Sequence, residues 1–118
     1  MKVWENYKGI LLIGIILGIL SVFYISCKKS SPAVTQGPNE VWIQNMSYSP
    51  TSLTVAVNTT VKWTNKDGTD HTVSSDSSLF DSGHIPGGST YSRQFTSAGI
   101  YPYHCNIHAG MNGNIVVH

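Results

Sequence analysis

The sequence has few charged residues, and its positive and negative charges nearly cancel. Lys, Arg, Asp and Glu account for 11% of the 118 residues, and the formal net charge at pH 7 is +1. After the first 27 residues, five basic side chains accompany five acidic ones. Proteins that bind nucleic acids need a marked excess of basic side chains to neutralise the phosphates. The composition therefore gives no electrostatic support for a nucleic-acid partner.

Cysteine is also scarce, since only Cys27 and Cys105 occur. Two cysteines cannot form the disulfide framework of a small secreted scaffold. One disulfide between them remains an alternative to a free Cys105. The sequence also lacks an internal repeat, and the glycines at positions 83, 87 and 88 do not have the spacing of a phosphate-binding loop. Repeat proteins and phosphate-loop proteins are therefore excluded.

Long apolar runs are absent except at the N-terminus. Residues 10–25 carry no charge and follow two lysines, which is the pattern of an export signal. Ser26 and Cys27 come next, and they resemble the cleavage site of a bacterial lipoprotein, where the cysteine becomes the lipidated first residue. We therefore expect residues 1–27 to be a lipoprotein signal.

An uncleaved membrane anchor is the alternative for this segment. Residues 9–26 form a stretch of eighteen without a charge, close to the shortest helix that spans a bilayer. Residues 28–39 contain two prolines and no apolar periodicity, so they are expected to form a flexible tether. Residues 40–118 then form the domain, held outside the cytoplasm at the bacterial cell envelope, in the periplasm or on the cell surface.

Short runs bounded by turn residues fill the domain and predict an all-β fold. In two of them apolar side chains alternate with polar ones, as in strands with one buried face. About seven to eight strands of this length indicate a β-sandwich. The predicted strands cover residues 41–46, 52–57, 60–65, 71–74, 91–96, 100–105 and 114–117.

Two features interrupt this pattern. Residues 75–90 read as an irregular crossing between the sheets, in which Phe80 is expected to fill the core. Pro102 lies inside an apparent strand and cannot donate a ladder hydrogen bond. We therefore expect an edge strand there, or a strand that begins nearer Tyr103.

The strongest chemical signal is the spacing Cys105-x2-His108-x2-Met111. Because a strand would send Cys105 and His108 to opposite faces, and the nearby glycines disfavour a helix, these side chains are expected to converge on a loop. His71, which follows a predicted strand and turn, can supply a second imidazole. A thiolate, two imidazoles and a thioether together are the ligand set of blue copper sites.

Several segments resemble the cupredoxins, specifically the plastocyanin, amicyanin and pseudoazurin group, and the short Cys-x2-His-x2-Met spacing is most similar to amicyanins. The resemblance covers roughly residues 40–118. The matching segments are Tyr48-Ser-Pro50, Leu53-Thr-Val55, Val61-Lys-Trp63-Thr-Asn65, His71-Thr-Val73, Phe80-Asp-Ser-Gly83 and Tyr103-His-Cys105 to Val117.

The resemblance implies a Greek-key sandwich that binds one copper ion and carries single electrons between redox proteins. Such a chain would be a monomer that docks transiently and is not itself an enzyme. Thr72 and Asn106, each next to a ligand, would support the site through hydrogen bonds. Electrons would pass through His108, where Ala109 and Gly110 are small enough to let a partner approach.

Alternative functions are a copper carrier or store, a copper oxidoreductase, and a metal-free adhesion domain. A carrier of reduced copper would favour clustered Met and His, but only Met46 and Met111 follow the predicted signal. Copper oxidoreductases often use a His-Cys-His triplet, and this chain has Asn106 after the cysteine. His104 is predicted to point outward, as a surface residue or as a second route for electrons. His84 and His118 carry no motif.

Overall fold

Eight strands organise the described part of the chain, residues 32–118 of this computed structural model. The predicted signal, Cys27 and the first part of the predicted tether lie outside the described residues. Thr35–His118 forms one compact unit. The strands are β1 (Glu40–Gln44), β2 (Ser47–Ser49), β3 (Ser52–Val55), β4 (Thr59–Asn65), β5 (Ser74–Ser75), β6 (Thr90–Phe95), β7 (Gly99–His104) and β8 (Asn112–Val117).

The strands form two mixed four-stranded sheets. The first has the order β2-β1-β4-β6, with β1 parallel to β4 and the other pairs antiparallel. The second has the order β3-β8-β7-β5, with β3 parallel to β8. The described residues form no helix, and none of them belongs to a helix that could cross a membrane. The predicted all-β, Greek-key sandwich is confirmed.

The core lies between the sheets and follows from alternation along the strands. In β4, Val61, Trp63 and Asn65 are buried while Lys62 is exposed. Trp63 packs against Tyr103 of β7, with ring centroids 5.6 Å apart and an interplanar angle of 89°. Edge-to-face contacts of this kind add to the stability gained by burying aromatic area. Aromatic side chains therefore pack between the two sheets near the C-terminal end of β7.

The predicted strand over residues 71–74 is wrong, because only Ser74–Ser75 belong to a strand. The backbone of His71 instead pairs with Ile85 in an isolated bridge, with N···O distances of 3.2 and 2.8 Å. The carbonyl of Val73 accepts from the backbone N–H of Ser82, and the N–H of Val73 donates to the Ser82 hydroxyl. The predicted crossing over residues 75–90 is too long by one residue at each end, because Ser75 belongs to β5 and Thr90 to β6. Residues 76–89 between them contain no strand, and Phe80 is buried, as expected. Hydrogen bonds to the crossing, rather than to a neighbouring strand, therefore fix residues 71–73.

The expectation for Pro102 is also wrong. β7 begins at Gly99 and lies between β8 and β5. The carbonyl of Pro102 accepts a hydrogen bond from the N–H of Asp76 at 3.0 Å, so its nitrogen faces the same side, beyond the end of the two-residue β5. The proline omits only the reciprocal bond to Asp76, just beyond the end of β5, so an interior strand can accommodate it.

Candidate metal centre

Three ligand atoms converge in the described domain. The Cys105 sulfur lies 3.9 Å from His71 Nδ1 and 3.7 Å from His108 Nδ1, and the ligand atoms of this group all lie within 4.8 Å of one another. Metal bonds of about 2.0 Å to nitrogen and about 2.3 Å to sulfur, at 120°, place sulfur and nitrogen about 3.7 Å apart. The separations therefore fit a single ion between the three side chains.

One loop between neighbouring antiparallel strands supplies most of this site. Cys105 directly follows β7, and Met111 directly precedes β8. The N–H of Cys105 donates to the carbonyl of Met111 at 3.1 Å, which closes the loop. Gly110 turns the chain with φ of +85°, a conformation that glycine adopts without strain. Cys105 and Met111 are buried and His108 is half-buried.

His71 comes from a separate loop, after β4. The buried Asn65 organises that loop, because its Nδ2 donates to the carbonyls of Thr69 and Ile85, both at 2.8 Å. Its Oδ1 accepts from the N–H of Asp67 at 2.9 Å. The His71 side chain is 0% exposed, so this ring is held in the interior by the fold.

The surroundings of Cys105 favour the thiolate. Burial raises the pKa of the thiol, but the backbone N–H groups of Thr72 and Ile107 outweigh it and lower the pKa to about 6. The Thr72 nitrogen lies 3.4 Å from the sulfur. Because the thiolate is the metal-binding form of cysteine, Cys105 is prepared for binding close to neutral pH. Its thiol is free in the structure.

Thr72 and Asn106 connect the two ligand loops. The hydroxyl of Thr72 accepts from the backbone N–H of Asn106 at 2.8 Å. The side-chain amide of Asn106 donates to the hydroxyl of Ser74 at 2.8 Å, and Ser74 lies 3.0 Å from the Thr72 hydroxyl. The structure thus places both residues where they restrain the relative position of His71 and Cys105.

The remaining histidines lie outside this triangle. His104 has a side chain that is 37% exposed, and its ring contacts the Asp76 carboxylate at 2.6 Å and the side-chain Oδ1 of Asn106 at 2.9 Å. The hydrogen bond with Asp76 raises the pKa of His104 above its usual value. His84 and His118 are exposed, as predicted. His104 is therefore braced against the ligand loop rather than free at the surface.

Asp67 is a neighbour of the site that the sequence analysis missed. Its carboxylate lies 2.9 Å from Nε2 of His71, on the far side of the ring from Cys105. In the sequence this aspartate belongs to a Lys-Asp-Gly turn signal. A separation of four residues predicts a side-chain contact with His71 only within a helix, and no helix is predicted there. Only the folded loop shows the contact.

The residues that flank His108 in the ligand loop are small or apolar. Ala109 and Gly110 are exposed, and Ile107 is 41% exposed. This part of the loop carries no charged side chain. A partner surface can therefore approach the ring without removing water from a neighbouring charge.

Comparison with known proteins agrees with this fold. The family profile described as a Cupredoxin-like domain matches residues 15–117. Amicyanin from Paracoccus denitrificans is 35% identical over 89 residues, covering 71% of this chain and 68% of that protein. Plastocyanin from Scenedesmus fuscus is 36% identical over 88 residues, covering 59% of this chain and 85% of that protein.

A solved structure of the reduced Cu(I) form of an amicyanin variant at pH 4 superimposes with a TM-score of 0.66 at 33% identity. The match covers 73% of this chain and 87% of that chain. The family profile spans most of the sequence, and the identity to both curated relatives exceeds 30%. The chain therefore belongs to the cupredoxin-like family.

Proposed function

We propose that this domain binds one copper ion and carries single electrons between redox proteins. The observation that supports this most strongly is the triangle of buried His71, buried Cys105 and half-buried His108, with Met111 on the same loop as Cys105 and His108. Cys105 would bind as thiolate and the two histidines through Nδ1. Met111 would be the fourth and weaker ligand, whose thioether tunes the reduction potential. When bound, copper supplies a one-electron Cu(I)/Cu(II) couple.

The protein contributes a site that is already assembled. His71 is fixed by its buried loop, and Cys105 is fixed by the closure of its own loop onto Met111. Thr72 and Asn106 hold the two loops together. Because these contacts restrain both ligand loops, little has to move when the charge of the site changes, and a preorganised environment lowers the barrier to electron transfer.

Electrons would enter and leave through His108, flanked by Ala109 and Gly110. The exposed surface there is small and uncharged, which suits the brief, weak docking of redox proteins. We propose a monomeric carrier rather than an enzyme. Thr72 and Asn106 support the site, and the domain proper corresponds to residues 40–118.

We further propose that the domain is tethered to a membrane outside the cytoplasm, in the bacterial cell envelope. The support is the sequence pattern of residues 1–27, with Cys27 as the lipidated residue and residues 28–39 as the tether. An uncleaved anchor formed by the same apolar run is the alternative.

The proposed function is tested by the spectrum of the copper-loaded protein. The wild type should bind one copper ion per chain and show intense thiolate-to-copper absorption, with the electron paramagnetic resonance signal of a blue site. Cys105→Ser should remain folded but lose this absorption, because serine cannot supply a thiolate. Colour that survives in Cys105→Ser, or a colourless wild type at full copper occupancy, would contradict the assignment.

A further inference from the structure

The Asp67 carboxylate accepts from three N–H groups. Its Oδ1 accepts from the backbone N–H of Asn45 at 2.8 Å, and its Oδ2 accepts from the backbone N–H of Met46 at 3.0 Å. Oδ2 also lies 2.9 Å from Nε2 of His71. The side chain is 17% exposed, so water covers little of it. Such a saturated carboxylate is fixed in orientation.

This contact determines which ring nitrogen of His71 carries the proton. An ionised carboxylate can only accept hydrogen bonds, so Nε2 of His71 must be the N–H donor. In the neutral ring, Nδ1 then carries the lone pair, and Nδ1 is the atom that faces the Cys105 sulfur. Outer carboxylates that hold histidine ligands in this way raise the basicity of the ring.

The same carboxylate stabilises an unusual turn. Asn45 and Met46 join β1 to β2 with φ of 53° and 59°, a left-handed conformation that asparagine tolerates but that methionine rarely adopts. Both N–H groups of this turn point to Asp67. Asp67 therefore links the β1–β2 turn of the first sheet to the His71 ring.

We propose that Asp67 is a positioning residue that holds His71 with its proton on Nε2 and, through its negative charge, favours the oxidised form of the site. This inference rests on the proposed copper function and names the group that tunes it. Asp67 is not a ligand, since the His71 ring lies between it and the Cys105 sulfur.

The charge should affect the reduction potential because it is close and poorly screened. Coulomb interactions weaken with distance and with solvent exposure, and Asp67 directly contacts a ligand ring in a mostly buried position. A negative charge there stabilises Cu(II) more than Cu(I). We expect Asp67→Asn to change the relative affinity for the two oxidation states about tenfold in favour of Cu(I), which raises the potential by about 59 mV.

The test uses the full-length protein and separates the hydrogen bond from the charge. Nuclear magnetic resonance of the metal-free wild type, labelled with ¹⁵N, should show His71 protonated at Nε2. Asp67→Ala removes the acceptor and should abolish this preference. Asp67→Asn retains an oxygen that can accept from Nε2, so the proton should stay while the potential rises. Asp67→Glu restores the charge and should return the potential towards that of the wild type.

Asp70→Asn is the matched control. It removes the same charge from the residue next to His71, but the Asp70 side chain is 48% exposed and pairs with His84 rather than with the ligand ring. Its potential should change much less than that of Asp67→Asn.

A wild-type His71 protonated at Nδ1 would overturn the proposal even if no variant folds. Equal potentials in Asp67→Asn and Asp70→Asn would overturn it as well. A wild type that is not blue would instead refute the proposed function, while the proton position in the metal-free protein would still report on the contact between Asp67 and His71.

Discussion

At the scale of single residues, the site is built from side chains that meet only in the folded chain. The spacing Cys105-x2-His108-x2-Met111 is visible in the sequence, and the structure brings Cys105 and His108 together with His71. Asp67 has ordinary turn chemistry in the sequence, because its contact with His71 exists only after the loop folds around Asn65. The bracing of His104 by Asp76 likewise depends on residues 28 positions apart.

The exposed position of Ala109 leads to a functional prediction. Ala109→Asp should leave the blue spectrum nearly intact, because residue 109 is not a ligand and its side chain is exposed. Electron self-exchange should slow about tenfold or more, since docking must remove water from an unpaired charge, which costs a few kcal/mol. Line broadening in nuclear magnetic resonance at moderate salt measures this rate.

His118→Asp provides the control for that experiment, because it adds an exposed carboxylate outside the ligand loop. Its self-exchange rate should stay close to that of the wild type at the same copper content. Equal rates for Ala109→Asp and wild type would contradict electron passage at His108 and would direct attention to His104.

At the scale of strands and loops, the alternation of apolar and polar residues predicted the long strands but not the short ones. β4 and β8 bury every second residue, so their pattern is visible in the sequence. β2 and β5 contain only three and two residues, too few to show a period. The segment from His71 to Val73 has the composition of a strand, yet it bonds to the crossing at Ile85 and Ser82. Such pairing depends on tertiary contacts.

The pairing of β7 with β8 depends on a glycine. Tyr103 lies opposite Gly113, and a Cβ atom at position 113 would come within 2.6 Å of the tyrosine ring and hydroxyl. Gly113→Ala should therefore destabilise the fold by about 2 kcal/mol, as overpacking does, and lower the melting temperature of the metal-free protein. Gly68→Ala, where the added atom meets nothing within 4 Å, should change it little. Equal melting temperatures for the two variants would refute this account.

The start of β1 should make stability depend on acid pH. Burial raises the pKa of Glu40, but the N–H of Gly37, the hydroxyl of Thr64 and the ammonium of Lys62 together lower it to about 2. Since the pKa is lower in the folded state, the contribution is present above the usual value near 4.5 and disappears as the pH falls towards 2.

Wild type should therefore exceed Glu40→Gln in free energy of unfolding by on the order of 2 kcal/mol at pH 6. The difference should shrink steadily below pH 4.5, as measured by urea unfolding at each pH. If the free energies of unfolding of the two proteins differed by a constant amount down to pH 2, the Glu40 charge would not contribute to stability.

At the scale of the whole molecule, the sequence predicted the class and the architecture, and it also predicts a tether that lies outside the described residues. Mass spectrometry of the protein extracted from membranes should find a chain that begins at a lipidated Cys27. The same protein with Cys27→Ala should lose the lipid mass. An intact Met1 terminus in the wild type would favour the uncleaved anchor instead.

The ligands come from loops of both sheets, and this arrangement affects stability. His71 follows β4 of the first sheet, whereas Cys105, His108 and Met111 lie between β7 and β8 of the second. An ion bound by both groups acts as a cross-link that closes a loop of more than thirty residues, and the unfolded chain cannot keep that geometry. Folding and copper supply are therefore thermodynamically linked, so that a cell short of copper holds a less durable protein as well as an inactive one.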